Sequence, residues 1–166
     1  MDHSFGYNAQ STEEDFLARD ELLWSVTDIA AKGGNLLLNV GPRAVDATIP
    51  EEQLVRLGWL AGFVPPSGDA LFGTRPWATP GSTTAEGDPL RYTARDADVF
   101  AFVRPSSPSA TLAEVVPTPA TTVRDLSGRP LPWESTPAGI RVGLPASPDG
   151  DPVVVALGHV AAHGRP

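Results

Sequence analysis

The chain contains no cysteine, which excludes disulfide bonds and metal sites built on thiolates. No apolar run approaches the roughly 18 residues of a membrane-spanning helix, so a membrane partner is not expected. Basic residues are scarce and scattered: only one lysine stands among the 12 basic side chains, and the formal net charge is −8. Nucleic acid and anionic membrane surfaces are therefore poor partners on electrostatic grounds.

Histidine is scarce as well, with only His3, His159 and His163 in the chain. No two of them have helical ligand spacing with an acidic residue nearby, and no glycine loop of a phosphate-binding type is present. The run 149–151 (Asp-Gly-Asp) is typical of a turn, because the remaining ligands of a calcium loop are absent. We therefore expect neither a metal nor a cofactor.

The length and composition are those of a globular protein. The chain has 166 residues, of which 41% are hydrophobic, enough for one ordinary domain or two small ones. A complete (β/α)8 barrel needs about 250 residues and cannot fit. The 11 arginines against one lysine, with abundant alanine, glycine and proline, are typical of a GC-rich bacterial genome.

The first half of the chain predicts helix, strand and helix in that order. Ser11 and Glu14 have the spacing of a capping box, and the glycines at 33 and 34 predict the end of the helix. Residues 36–40 form a nearly continuous apolar run, typical of a parallel strand buried on both faces. A second capping box, Thr48 with Glu51, predicts another helix. Its apolar stripe consists of Leu54, Leu57, Leu60 and Ala61.

The second half of the chain has a different composition. Of the 18 prolines, 12 follow residue 80, and helical periodicity disappears. Residues 78–89 predict a linker or long loop. Short strands follow, with a hairpin that turns at 96–98, and together they predict an antiparallel β-sandwich over residues 90–166. The predicted strands are 90–95, 98–104, 111–116, 121–125, 139–144 and 152–159.

Four motifs occur in a characteristic order over residues 4–77. They are Ser-Phe-Gly-Tyr-Asn at 4–8, Gly-Gly-Asn-Leu-Leu-Leu-Asn-Val-Gly-Pro at 33–42, Thr-Ile-Pro-Glu-Glu-Gln at 48–53 and Gly-Asp-Ala-Leu-Phe-Gly-Thr-Arg-Pro-Trp at 68–77. This set resembles the last part of the family 29 glycoside hydrolases, the α-L-fucosidases. The resemblance implies an α/β plus all-β fold class: the last βα portion of a (β/α)8 barrel in residues 1–77, then a C-terminal antiparallel β-sandwich.

The resemblance also implies an activity for the complete enzyme. Fucosidases of this family are retaining glycosidases, which need two carboxyl groups about 5 Å apart, and they release terminal α-L-fucose from fucosylated glycans without a metal or cofactor. Their nucleophile and acid/base precede the first motif, so Met1 falls inside what would be the catalytic domain. We therefore assign no catalytic residue to this chain. We expect a missing N-terminal barrel portion and no activity of the chain alone; whether the chain itself counts as an enzyme is left open.

Three residues are candidates for substrate binding: Phe5, Tyr7 and Asn39. Phe5 and Tyr7 are expected on a βα loop at the barrel mouth, where aromatic faces and amides line sugar pockets. Asn39 interrupts an apolar strand at its carboxyl end, so its amide needs a partner, either a ligand or the neighbouring loop. A purely structural role is the alternative for all three.

Two carboxylates have simpler explanations than catalysis. Asp2 is interpreted as an exposed terminal residue. Glu134, beside Trp133, is expected on an exposed loop, because glutamate is rarely buried without a partner.

Two rival functions remain. The chain could be a non-catalytic β-sandwich module that binds carbohydrate or a protein, with aromatic residues as its binding surface; Trp77, Tyr92, Phe100 and Trp133 are equally consistent with a core. It could also be one half of a split enzyme that another polypeptide completes. The sequence leaves localisation open.

Overall fold

The computed structural model describes residues 1, 4–147 and 149–162. Helices occupy the first part of the chain and strands the remainder. In chain order the elements are a 3-10 helix Glu13–Asp15, α1 Arg19–Ala31, α2 Glu51–Phe63, α3 Gly68–Leu71, β1 Arg75–Thr83, β2 Pro89–Arg95, β3 Asp98–Val103, β4 Ser109–Leu112, β5 Val115–Arg124, β6 Trp133–Thr136, β7 Gly139–Gly143 and β8 Val153–Ala162.

The predicted start of the first helix at Ser11 is wrong. Thr12 precedes a short 3-10 turn, and its backbone N–H and hydroxyl donate to the Asp15 carboxylate at 2.7 and 3.1 Å. The chain then leaves helical geometry, and α1 begins only at Arg19. The predicted end is confirmed, since Gly33 follows the helix with a φ of 72°, a conformation that glycine adopts without a steric penalty.

The second capping box is also wrong. The Thr48 hydroxyl donates to Asp46 at 2.7 Å rather than capping a helix, and α2 begins at Glu51, directly after Pro50. Short polar side chains at such positions bond locally to whichever acceptor is nearest. In both cases the acidic partner is a different residue from the predicted one.

The buried face of α2 is not the predicted leucine stripe. It carries Gln53, Arg56 and Phe63, which are all buried. Leu54 is 44% exposed, and the other members of the stripe are exposed or half-buried. The helix thus buries two polar side chains together with Phe63, packs Leu60 against the same apolar cluster, and leaves Leu54 and Ala61 exposed.

The predicted strand at 36–40 is wrong for the described chain. Residues 35–43 have neither helical nor strand hydrogen bonding, and Leu37 is 88% exposed. Every strand pairing among the described residues is antiparallel and lies after residue 74. A strand exists only through ladder hydrogen bonds to a neighbouring strand, and no described strand pairs with this segment.

The strands form two antiparallel sheets. One has five strands in the order β1-β2-β3-β8-β5, and the other has three in the order β4-β7-β6. The predicted hairpin is confirmed: β2 pairs with β3, and Asp96 takes a left-handed conformation at the turn with a φ of 53°.

Two elements lie where the sequence predicts loops. β1 covers the first half of the predicted linker 78–89 and pairs only with β2, at the edge of its sheet. Its register shifts between Pro76 and Gly81. Proline cannot donate to a ladder, so it is accepted at edges and bulges. β6, which contains Trp133 and an exposed Glu134, is likewise an edge strand and not a loop.

The inner strands of the five-stranded sheet are buried on both faces. One face meets the three-stranded sheet in an apolar cluster that includes Tyr92, Val155 and Ile140. The other face, with Phe100 and Phe102, packs against helical side chains such as those of Leu23, Phe63 and Leu71. The run Val99–Val103 in β3 and its counterpart in β8 are apolar at successive positions because both faces are covered.

Ion pairs attach α1 to the strand region. Arg19 donates to both carboxylate oxygens of Asp151, each at 2.6 Å, and Arg104 pairs with Asp20. Asp28 accepts from Lys32 on the same helix and from Arg91 on β2. Partial burial works against ionisation of Asp28, but these two partners hold its pKa below the ordinary value.

Arg56 ties α2 to the segment before α1. Its side chain is almost fully buried and donates to the Leu17 carbonyl at 3.1 Å, to the Glu52 carbonyl at 3.1 Å and to the Glu13 carboxylate at 2.7 Å. The hydrogen bond from Arg56 lowers the pKa of Glu13 from its ordinary 4.5. The buried guanidinium therefore has one anionic partner, at the surface.

A Leu23→Ala substitution tests the packing of α1 against the sheet. Leu23 is fully buried, so its loss should reduce the free energy of unfolding by about 2–5 kcal/mol. Leu37→Ala is the matched control, because Leu37 is 88% exposed and should change stability by no more than about 0.5 kcal/mol. Urea denaturation of both variants measures the difference, and equal effects would contradict the packing described above.

A Glu13→Gln substitution tests the ion pair with Arg56. A carboxylate with a lowered folded-state pKa stabilises the fold above the unfolded-state value of about 4.5, and this contribution is lost as pH falls through the lowered folded value. Glu13→Gln should therefore be less stable than the parent at pH 7, and the difference should shrink below pH 4.5. Denaturation midpoints over this pH range measure it, with Glu14→Gln, at an exposed neighbour, as the control.

Candidate functional site

Two loops meet beside the N-terminus of α2. The first precedes α1 and contains Phe5 and Tyr7; the second runs from Asn39 to Pro50. The Asn39 side-chain amide donates to the Phe5 carbonyl, which links the loops directly. The structure thus brings all three predicted substrate-binding residues into one region, and their contact with a sugar stays a prediction.

Glycine at position 41 permits the close approach of the two loops. A Cβ atom there would lie 2.3 Å from the Tyr7 nitrogen and 2.6 Å from the Gly6 carbonyl carbon. Non-bonded heavy atoms do not approach a Cβ atom this closely, so any side chain at position 41 would push the loops apart. The Gly41 N–H donates to Gln53 Oε1 at 2.9 Å, which fixes this backbone to α2.

Aromatic surface is exposed on the first loop. The Phe5 side chain is 84% exposed and that of Tyr7 is 43% exposed. The Arg43 guanidinium carbon lies 6.0 Å from the centre of the Tyr7 ring, within the range of a cation–π contact. Exposed aromatic faces with a few polar groups nearby are common features of small-molecule binding sites.

A polar pocket of about 170 Å³ opens between the loops and the first turn of α2. We call it the Tyr7–Gln53 pocket. Its walls are Tyr7, Asn8, Ala9, Ser11, Phe16, Arg43, Pro50, Glu52 and Gln53. The wall residue Phe16 contacts Arg56, whose guanidinium carbon lies 5.0 Å from the centre of the Phe16 ring.

Sequence reasoning missed Arg43 and Gln53. The signal that could have found Gln53 is its spacing from Arg56 and Phe63, since all three share the buried face of α2. The leucines of the same helix obscured this pattern. Arg43 directly follows Gly41 and Pro42 in the second loop, and its position in the sequence gives no sign of a binding role.

The other residues singled out above are dispersed. Asp2, His3 and His163 lie outside the described residues. Tyr92 and Phe100 are buried in the two clusters and Trp77 packs against the first of them, whereas Trp133 is 37% exposed on the edge strand β6. Over residues 1, 4–147 and 149–162, no three His, Asp or Glu side chains are grouped so that they could hold a metal ion. No helix in those ranges is long and apolar enough to cross a membrane.

An Asn39→Leu substitution tests the link between the loops. It removes the donor to the Phe5 carbonyl, and a typical hydrogen bond contributes about 0.5–1.5 kcal/mol. Amides of residues 4–8 should exchange with solvent faster, while those of β3 and β8 should keep their protection. Asn35→Leu, at an exposed position before the same segment, is the control. Unchanged exchange at 4–8 in the Asn39 variant would contradict a linking role.

The part of the chain that carries these loops is similar to known proteins. The family described as Alpha-L-fucosidase matches residues 1–69. An α-L-fucosidase from Branchiostoma floridae is 34% identical over 87% of this chain and 32% of its own length, and a plasma α-L-fucosidase from Rattus norvegicus is 33% identical over 86% and 32%. The chain thus spans about a third of the length of the curated relatives it matches.

The fold agrees with the sequence match. The structure of a Thermotoga maritima α-fucosidase in complex with fucose superposes with a TM-score of 0.79 at 30% identity, covering 94% of this chain and 38% of that one. Both comparisons align the present chain with only part of longer fucosidases. The resemblance in the four motifs is confirmed: the chain is a relative of the α-L-fucosidases of glycoside hydrolase family 29 and matches a C-terminal part of them.

Proposed function

We propose that the chain is the C-terminal part of a retaining α-L-fucosidase-like glycoside hydrolase. In this proposal residues 1–77 contribute the last βα portion of a (β/α)8 barrel, and the two antiparallel sheets form a C-terminal β-sandwich. The complete enzyme hydrolyses terminal α-L-fucosides by double displacement. The similarity to longer fucosidases, one of them solved with fucose, supports this assignment.

The observation that carries the proposal is an uncovered apolar surface before β1. Of the ten large apolar side chains exposed among the described residues, eight precede residue 75. They include Leu36 and Leu37, 41% and 88% exposed, on the extended segment whose backbone has no strand partner. Soluble proteins seldom leave so much apolar surface together unless something covers it.

A barrel would supply the missing cover. The order α1, extended segment 35–40, α2 is that of a helix, a strand and the next helix in a (β/α)8 barrel. Neighbouring parallel strands would give residues 36–40 their hydrogen bonds. The next helix would pack against the leucine side of α2, where Leu54 and Val55 are exposed. The run that is apolar without interruption would then be buried on both faces, as the sequence predicts.

The two loops would lie at the mouth of that barrel. In the proposed barrel the loop before α2 follows the strand 36–40, and we infer that the loop before α1 likewise follows a strand; ligands of such barrels bind at the carboxyl ends of the strands. We therefore place Phe5 and Tyr7 at the rim of the fucose site, with Asn39 holding the Phe5 backbone. A retaining mechanism needs two carboxyl groups about 5 Å apart, and both are assigned to the remainder of the barrel.

The remainder of the barrel could be joined to this chain or carried by a separate polypeptide, as in a split enzyme. Either arrangement buries the same surface. In both cases the catalytic carboxyl groups are assigned to the remainder of the barrel, so the chain alone should not turn over a fucoside. The loss of catalytic carboxylates usually costs several powers of ten in rate. The rival assignment, a binding module without catalysis, leaves the exposed apolar segment unexplained.

Reconstitution tests the proposal. The purified chain should release no nitrophenol from 4-nitrophenyl α-L-fucoside above buffer. Fusion behind the part of the Thermotoga maritima enzyme that lies outside its match to this chain should restore turnover, because it supplies the barrel strands and the carboxylates.

A charged substitution on the exposed segment 35–40 tests whether turnover by the fusion depends on packing of this segment against the remainder of the barrel. Leu37→Asp in the fusion should abolish turnover, since it places a carboxylate where the neighbouring elements pack. Val116→Asp, on the 37% exposed Val116 of β5, is the control and should leave turnover intact. Turnover by the chain alone would overturn the proposal, and so would a well-folded fusion that stays inactive.

A further inference from the structure

The Tyr7–Gln53 pocket contains a buried amide with an unused donor. Gln53 is only 4% exposed, and the N–H of Gly41 fixes its orientation, because that N–H must meet the oxygen and not the nitrogen of the amide. Its Nε2 donates to no described residue. No fully buried side-chain nitrogen or oxygen in the described ranges lacks a partner, so Nε2 must reach accessible space. Gln53 lines the pocket, and that is the space available.

The other walls combine donors, an acceptor and a ring. Arg43 makes one long hydrogen bond, to the Thr48 hydroxyl at 3.3 Å, and no ion pair among the described residues, which leaves most of its five donors for a ligand. The Glu52 carboxylate accepts no hydrogen bond from a described side chain. The Tyr7 ring adds a half-exposed apolar face.

This combination favours a neutral polyhydroxylated ligand. Arg43 and Glu52 carry opposite charges, so a ligand of either sign is attracted by one wall and repelled by the other. A sugar hydroxyl both donates and accepts, so adjacent hydroxyls can satisfy the carboxylate and the two donors together. The C–H face of the same sugar ring can pack on Tyr7.

We propose that the Tyr7–Gln53 pocket is a subsite for a neutral pyranose unit of the glycan. Arg43 and Gln53 Nε2 donate to its hydroxyls, Glu52 accepts from one of them, and Tyr7 covers its apolar face. The identity of the ligand as part of a fucosylated glycan rests on the proposed function. The described walls of the pocket all belong to this chain, so binding to it can be tested without activity.

Binding to the intact 166-residue chain tests the inference. The probes are D-galactose, N-acetyl-D-glucosamine and L-fucose, with sodium sulfate as the anionic comparison, followed by ¹H–¹⁵N NMR. At least one sugar should shift the Gln53 side-chain amide together with the backbone amides of Tyr7 and Asn8, and sulfate should not. Sulfate shifting these signals while all three sugars leave them unchanged would overturn the inference, and so would an absence of sugar shifts.

Three variants locate the binding. Gln53→Glu keeps an oxygen for the Gly41 N–H but removes the amide donor, and Arg43→Met keeps the stem but removes the charge. Each should weaken sugar binding about tenfold, the loss expected for one charged or buried hydrogen bond. Arg75→Met, on an exposed arginine of β1, should change it less than about twofold. Equal affinities in the parent and both pocket variants would also overturn the inference.

The two proposals fail separately. A chain that binds a sugar in this pocket, but whose fusion has no fucosidase activity, keeps the subsite and loses the proposed function. An active fusion without sugar binding at Tyr7 and Gln53 keeps the function and loses the subsite.

Discussion

The five-stranded sheet, covered on both faces, is the constraint on which the rest of the structure depends. Its central strands β3 and β8 are apolar at successive positions, so neither face tolerates water. The three-stranded sheet covers one face and the helices cover the other. Because α1 is held there by Leu23 and by ion pairs such as Arg19–Asp151, the loops before and after it are positioned by the sheet even though they lie outside it.

The extended segment 35–40 shows the opposite situation. It has the composition of a doubly covered strand, yet Leu37 is exposed because no neighbouring strand reaches it. The pattern of apolar side chains indicates which faces of a segment would be buried. Whether the segment becomes a strand depends on hydrogen bonds to neighbouring strands. The same reasoning applies to α2, on which Leu54 and Val55 are exposed while Gln53 and Arg56 are buried. In the proposed barrel, one additional layer would cover both the segment 35–40 and the exposed side of α2.

Prediction from the sequence succeeded for two elements with local partners and for the strand that became β8, and it failed for both capping boxes and for the strand at 36–40. The β2–β3 hairpin and the helix end at Gly33 depend on a few neighbouring residues, and both are confirmed. The prolines of β1 prevented its prediction as a strand. They are accommodated because β1 is an edge strand with a register shift. At the site, Phe5 and Tyr7 were selected by the loop expected for them and Asn39 by its place at the end of an apolar run, whereas Arg43 and Gln53 were found in the structure.

The loops of the candidate site are joined mainly through backbone atoms. Asn39 donates to the carbonyl of Phe5, Gln53 accepts from the N–H of Gly41, and the missing side chain at Gly41 lets two backbones touch. Such contacts fix loop positions while leaving the rings of Phe5 and Tyr7 free to meet a ligand. Backbone-directed hydrogen bonds cannot be recognised from residue type, because any residue supplies the carbonyl. This explains why a motif with a clear family resemblance still left the geometry of its pocket to be found in the structure.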